Sequence, residues 1–124
     1  MRAHLLSFGL TLAIALVMVP LAPSTGRACS CIAMDHDMAV STHDVSFRGR
    51  ATTITRDGDD EVVTFRIVRA FRGVEARTRT ITIRRYAALS MCPVPSFEVG
   101  RTYRVYAKTS PEGLRVHFCN PSGR

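Results

Sequence analysis

The chain has 124 residues, 46% of them hydrophobic, with 17 basic and 10 acidic side chains and a formal charge of +7. This is one domain near the lower end of comfortable single-core sizes, and no repeat, low-complexity tract or linker divides it. Six Phe, three Tyr and no Trp offer few stacking platforms, which argues against nucleic acid as the partner of so basic a chain.

Arg2 and His4 open a segment whose apolar run, Leu5 to Val19, is interrupted only by Ser7, Gly9 and Thr11 and is closed by Pro20 and Pro23. Gly26-Arg27-Ala28 then places small residues three and one before Cys29. This is the three-part layout of a secretory signal cut after Ala28. The run is shorter than the roughly 20 apolar residues that a spanning helix needs. Residues 1–28 are therefore expected to be a signal peptide and 29–124 the mature domain, secreted or periplasmic. Lipoprotein processing at Cys29 is the alternative, but Gly26 and Arg27 fit its signal poorly. Without Arg2 and Arg27 the mature part carries 15 basic and 10 acidic residues, or +5.

All four cysteines, Cys29, Cys31, Cys92 and Cys119, fall in the mature part. An even count in a small exported chain reads as a disulfide framework. A Cys29–Cys31 bridge would close a strained ring, which leaves two long-range pairings. Each would restrict the unfolded chain by about 4 kcal/mol in the chain-entropy model. Cut after Ala28, the chain begins with a free α-amine beside the Cys29 carbonyl, a pair of atoms able to chelate a metal.

Met34 to Thr42 is the one segment expected to be helical, with Asp35 and Asp37 in its first turn, where negative charge suits the macrodipole. Beyond it the pattern has period two. Val45, Phe47, Gly49 and Ala51 alternate with Ser46, Arg48, Arg50 and Thr52 in a first strand from Asp44 to Thr55. Asp57-Gly58-Asp59-Asp60 is a hairpin signal. Val63, Phe65, Ile67 and Phe71 share one face of a second strand closed by Gly73, with a bulge or strand end expected near Arg69. Thr78 to Ile83 is a third strand, and Tyr86 to Gly100 a long connection. Tyr103, Val105 and Ala107 form the inner face of a fourth strand. Ser110-Pro111-Glu112-Gly113 turns the chain into a fifth, where Leu114, Val116 and Phe118 face inward before Cys119. Five short strands with one buried face each are most simply closed into a barrel, which removes the edges.

Several segments together resemble the netrin-like modules, and specifically the inhibitory domain of the tissue inhibitors of metalloproteinases. They are the Cys29-Ser30-Cys31 start, Asp44-Val-Ser-Phe-Arg-Gly-Arg50, Phe65-Arg-Ile-Val-Arg-Ala-Phe-Arg-Gly73, a single cysteine in the long loop, Phe97-Glu-Val-Gly-Arg-Thr-Tyr-Arg-Val-Tyr-Ala107, and Leu114 to Cys119. In order and spacing they span nearly the whole mature part, and the similarity is closest to short single-domain bacterial members. The resemblance implies an all-β fold: a five-stranded OB-type closed barrel with a short N-terminal helix and two disulfides, Cys29–Cys92 and Cys31–Cys119.

It also implies a function, inhibition of a zinc metalloendopeptidase. Cys29 would chelate the protease zinc through its α-amine and carbonyl, and Ser30 would enter the specificity pocket. Cys31 and Ile32 would follow, and Leu89, Ser90 and Met91 would form the second half of the contact ridge. The chemistry is sound in itself. An α-amine with a pKa of about 7.7–8.0 loses its proton readily near neutrality, and the five-membered chelate can take the open position of a catalytic zinc. The chain departs from the animal inhibitors, which carry a third disulfide here and a proline-rich continuation where this chain has Ile32-Ala33-Met34.

The cysteines serve at least as staples, and a thiolate metal site would need them reduced. Met34, His36 and Met38 are Cu(I)-type ligands, but Met34 and Met38 share a helix face better suited to packing on the barrel end. Arg66, Arg72, Arg77, Arg79, Arg84 and Arg85 form either a solvated face or a contact for a polyanion. Asp57, Asp59, Asp60 and Glu61 lack calcium-loop spacing. His43 and His117 have no evident partners and are expected at the surface or at an interface. No nucleophile–base pair or phosphate loop is apparent, so the chain reads as non-enzymatic, without a cofactor, and as a monomer. The alternative function is a non-inhibitory binding or scaffold module of the cell envelope or exterior, holding a protein or polyanion ligand.

Overall fold

A computed structural model describes residues 29–87 and 92–124. The expected signal segment and Leu89, Ser90 and Met91 lie outside the described residues. The helix α1 spans His36–Thr42, and the strands are β1 (Val45–Asp57), β2 (Asp60–Arg72), β3 (Thr80–Tyr86), β4 (Thr102–Ser110) and β5 (Gly113–Val116). The fold is mostly β. The strands hydrogen-bond in a closed ring of order β1-β2-β3-β5-β4 and back to β1. All pairs are antiparallel except β3 with β5, which is parallel and rests on two residue pairs, Arg84↔Arg115 and Arg85↔Val116.

The inner face follows the expected alternation. Val45, Phe47 and Gly49 of β1 stand opposite Ala107, Val105 and Tyr103 of β4. Ala51 stands opposite Phe65, and Val63 opposite Ile83. The side chains of Phe47, Val63, Phe65, Ile83 and Val105 are fully buried. Phe97, from the long connection, joins them, stacking edge-on against Phe65 and Tyr103 at centroid distances of 5.1 and 5.0 Å. The Glu98 N–H then donates to the Tyr103 hydroxyl at 2.9 Å, so half of this connection is anchored to the core.

The first hairpin pairs Asp57 with Asp60 around Gly58 and Asp59. Gly58 has φ +61° while Asp59 does not enter positive φ, the φ pattern of a type II′ turn with glycine first. Bulges near Arg69 are present: Phe71 and Val68 are each left unpaired where the β1–β2 register shifts. These shifts end the simple alternation, and Val68 is 57% exposed. Gly73 ends the strand at φ +66°, where a Cβ would run into the Asp44 carbonyl oxygen.

Three expectations are corrected. The fifth strand stops at Val116, and Phe118 is 59% exposed rather than inward-facing. The chain turns at Phe118 and Cys119, the latter at φ +57°, to bring Cys119 to Cys31. Met34 and Met38 do not pack as a pair on the barrel end: Met38 is 46% exposed, and Ala39 is the buried residue of α1. His43 is not a surface residue. It caps α1, 5% exposed, with Nδ1 hydrogen-bonded to the Ala39 carbonyl at 2.8 Å.

The helix starts where Asp35 accepts from the Met38 N–H at 2.8 Å, an N-cap. At its other end Arg72 of β2 donates to the Val40 and Ser41 carbonyls, at 3.2 and 2.8 Å. Beneath it, Tyr106 lies on the outer face of β4 yet is only 3% exposed. His36, whose Nδ1 hydrogen-bonds the Tyr106 hydroxyl at 2.7 Å, covers it from one side. Residues 120–123 cover it from the other: Asn120 donates to the Tyr106 carbonyl at 2.7 Å, and the Tyr106 N–H donates to Ser122 Oγ at 2.8 Å.

Candidate functional site

The segment from Cys29 to Ile32 has no helical or strand pairing of its own and is held by sulfur. Cys29 is bonded to Cys92 with their Cα atoms 5.3 Å apart, and Cys31 to Cys119 at 5.2 Å. These are the two pairings that the resemblance implies. Two anchors two residues apart leave Ser30 between them with its side chain exposed, and Ile32 is 76% exposed. Cys92 directly follows Met91 in the chain, so the first bridge fixes Cys29 to the end of the segment named as the second half of the ridge.

The rest of the loop after Cys92 is tied to the same place. The Cys119 N–H donates to the Pro93 carbonyl at 2.9 Å, which joins loop and C-terminal turn beside the Cys31 bridge. A groove of about 520 Å³ runs there, lined by Cys31, Pro93, Pro95, Ser96, Cys119 and Asn120 among others. Prolines and small side chains make up much of its wall, and its ionisable groups are Glu98, Tyr103 and Arg124. At its far side Arg124 meets Glu98 at 3.5 Å.

The other sequence candidates are arranged differently from the expectation. Arg84 and Arg85 are not part of a free basic face. Arg84 pairs with Asp57 at 2.7 Å and with Asp60 at 3.5 Å, and Arg85 pairs with Glu61. Arg115 grips Asp60 with two hydrogen bonds, 2.8 and 2.6 Å, and also reaches Glu112. The Arg115 hydrogen bonds, more than the opposing desolvation, hold the Asp60 carboxyl below its ordinary range. The acidic hairpin end is thus neutralised by arginines from β3 and β5. Sequence reading missed this because the partners are far apart in the chain. Its one signal was that hairpin acids and a paired Arg84-Arg85 lie on successive strands.

His36 is turned onto Tyr106 and Phe71, its ring 4.8 Å from the Phe71 centroid, and burial raises the Tyr106 phenol above its usual value. His117 is exposed as expected. Partial desolvation, then the charges of Arg115, Lys108 and His43, hold its imidazole below the ordinary value. Among the described residues no three His, Cys, Asp or Glu side chains gather into a metal site. No protein-family model matches the chain, and no curated protein matches it.

Proposed function

We propose that the chain is a secreted or periplasmic netrin-like protein with an OB-type barrel, and that it inhibits a zinc metalloendopeptidase through its mature N-terminus. The observation that carries this reading is the pair of bridges flanking Ser30, which hold a short exposed segment rigid at both ends. Rigidity matters because an inhibitor whose contact segment is already ordered loses little entropy on binding. The strand order supports the OB-type barrel: β1 meets both β2 and β4, and β3 runs parallel to β5. Two disulfides suit an oxidising compartment.

In this mechanism cleavage after Ala28 frees the Cys29 amine. The amine nitrogen and the Cys29 carbonyl oxygen displace the water at the protease zinc, while the Cys29 sulfur stays committed to Cys92. Ser30 enters the adjacent pocket. Cys31 and Ile32 extend the contact on one side, and Leu89, Ser90 and Met91 on the other. The ammonium proton passes to solvent, the displaced water leaves the zinc, and no peptide bond is cleaved, so the protein acts as a non-enzymatic plug.

The test compares protein beginning at Cys29 with protein carrying one extra alanine before it, against a panel of zinc endopeptidases. Inhibition by the first and not the second supports the chelate. Equal inhibition by both, or none by either, overturns it.

A further inference from the structure

One outer wall of the barrel concentrates arginine that forms no ion pair; the nearest acids are Asp37 and Asp35 beside α1, which line the grooves next to Arg69 and Arg104. Arg48 of β1 stands directly opposite Arg69 of β2 on one side and Arg104 of β4 on the other. Two residues along β1, Arg50 stands opposite Arg66 of β2. Directly opposed residues on antiparallel strands point to the same side. Here that side is solvent: all five arginines are exposed, whereas Phe47 and Gly49 point inward. Neighbouring strands lie about 4.8 Å apart and alternate residues about 6.7 Å, so the Cα atoms of the five arginines lie within about 12 Å of one another.

None of the five forms an ion pair among the described residues; Arg69 lies 5.8 Å over the Phe71 ring, and the charge of Arg104 acts on the Tyr106 phenol. The contrast with Arg84, Arg85 and Arg115 is sharp, since each of those is matched to carboxylates. Strand β4 has no acidic residue, and β1 and β2 keep theirs at the hairpin end. Like charges opposed across strands are destabilising, so this wall carries a cost that a bound polyanion would relieve.

We propose that this wall is a binding surface for an acidic polysaccharide, a linear chain bearing carboxylate or sulfate groups. The guanidinium fork matches such groups bidentately. Three features favour this partner. The arginines form rows along and across a curved wall, which a flexible linear chain can follow and a flat membrane meets only along a line. Val68 is the one large hydrophobic side chain well exposed on β1, β2 or β4, too little to insert into lipid. No exposed aromatic ring lies within the rows to stack a base, as single-stranded nucleic acid would require. The proposal is independent of the zinc-chelating reading and involves none of its residues.

The experiment measures binding of the disulfide-bonded protein to dextran sulfate and to polygalacturonate, with neutral dextran as the blank. Phosphatidylglycerol vesicles and duplex DNA serve as competing polyanions. Arg48→Gln/Arg50→Gln is compared with Arg77→Gln/Arg79→Gln, which removes the same charge from exposed arginines outside the rows. The expected result is binding to both acidic polysaccharides that weakens with salt, and a loss of about tenfold in the first variant but not the second. Thermal melts of both variants establish that they fold. Equal loss in both variants, no polysaccharide binding, or tighter binding to vesicles or DNA would each overturn the proposal.

Discussion

Asp60, the first residue of β2, is held by Arg115 of β5 through two hydrogen bonds of 2.8 and 2.6 Å that pass over the end of β3. The contact sits where the ring is thinnest, since β3 and β5 share only two residue pairs. One of those pairs opposes Arg84 to Arg115 directly, and the Asp60 carboxylate lies against both. The acid therefore closes the ring electrostatically where backbone pairing is sparse.

Replacing it should loosen that closure. Asp60→Asn is expected to cost about 1 kcal/mol at neutral pH, allowing for solvent screening. Because the native carboxyl titrates below its ordinary range, its contribution is complete above the unfolded value near 3.9. It is lost as pH falls through the lower native value. Urea melts from pH 7 down to pH 2 should show the gap between the two proteins narrowing as the pH falls below about 3.9.

Gly49 faces the core between two aromatic rings. A Cβ there would lie 2.8 Å from the Phe47 ring and 3.1 Å from Phe65 Cβ, while those rings already pack edge-on at 5.6 Å. Gly49→Ala is therefore expected to destabilise the fold by about 1–3 kcal/mol through overpacking. Equilibrium urea unfolding measures it.

The Cys31–Cys119 bridge spans 88 residues of sequence. Replacing both cysteines with alanine should lower stability by about 3–4 kcal/mol, chiefly by freeing the unfolded chain. The hydrogen bond from the Cys119 N–H to Pro93 should weaken with it, seen as faster amide exchange at Cys119→Ala.

The proposed inhibitor makes a separate prediction for Ser30. Its side chain is exposed between two bridged residues, so Ser30→Glu should leave the melting temperature unchanged. The larger anionic side chain should weaken inhibition about tenfold or more by clashing in the protease pocket. A loss of stability instead of inhibition would assign Ser30 a structural part.

Period-two alternation made the strands legible wherever one face meets the core and the other meets water, as along Phe47 to Ala51 and Tyr103 to Val105. It failed where a second layer covers the outer face. Tyr106 is buried under α1 and the C-terminal residues, and His43 is buried against it at the end of the same helix, and neither contact has a local signature. Phe118 misled because its alternation with Val116 is real in sequence, but the strand ends early to deliver Cys119. The Asp60 contacts and the β3–β5 pairing depend on residues more than 20 positions apart, beyond any window. At the candidate site, cysteine chemistry left two long-range pairings open, and only the family resemblance chose between them. The arginine rows escaped notice because Arg48, Arg69 and Arg104 meet only through register.

The measurement that tests the central claim most directly is intact-mass and N-terminal analysis of the exported, non-reduced protein. The account predicts a chain that starts at Cys29 with a free amine, and a mass four hydrogens below the reduced form, two for each bridge. A retained residue before Cys29, an acyl group on its amine, or free thiols would contradict the zinc-chelating mechanism.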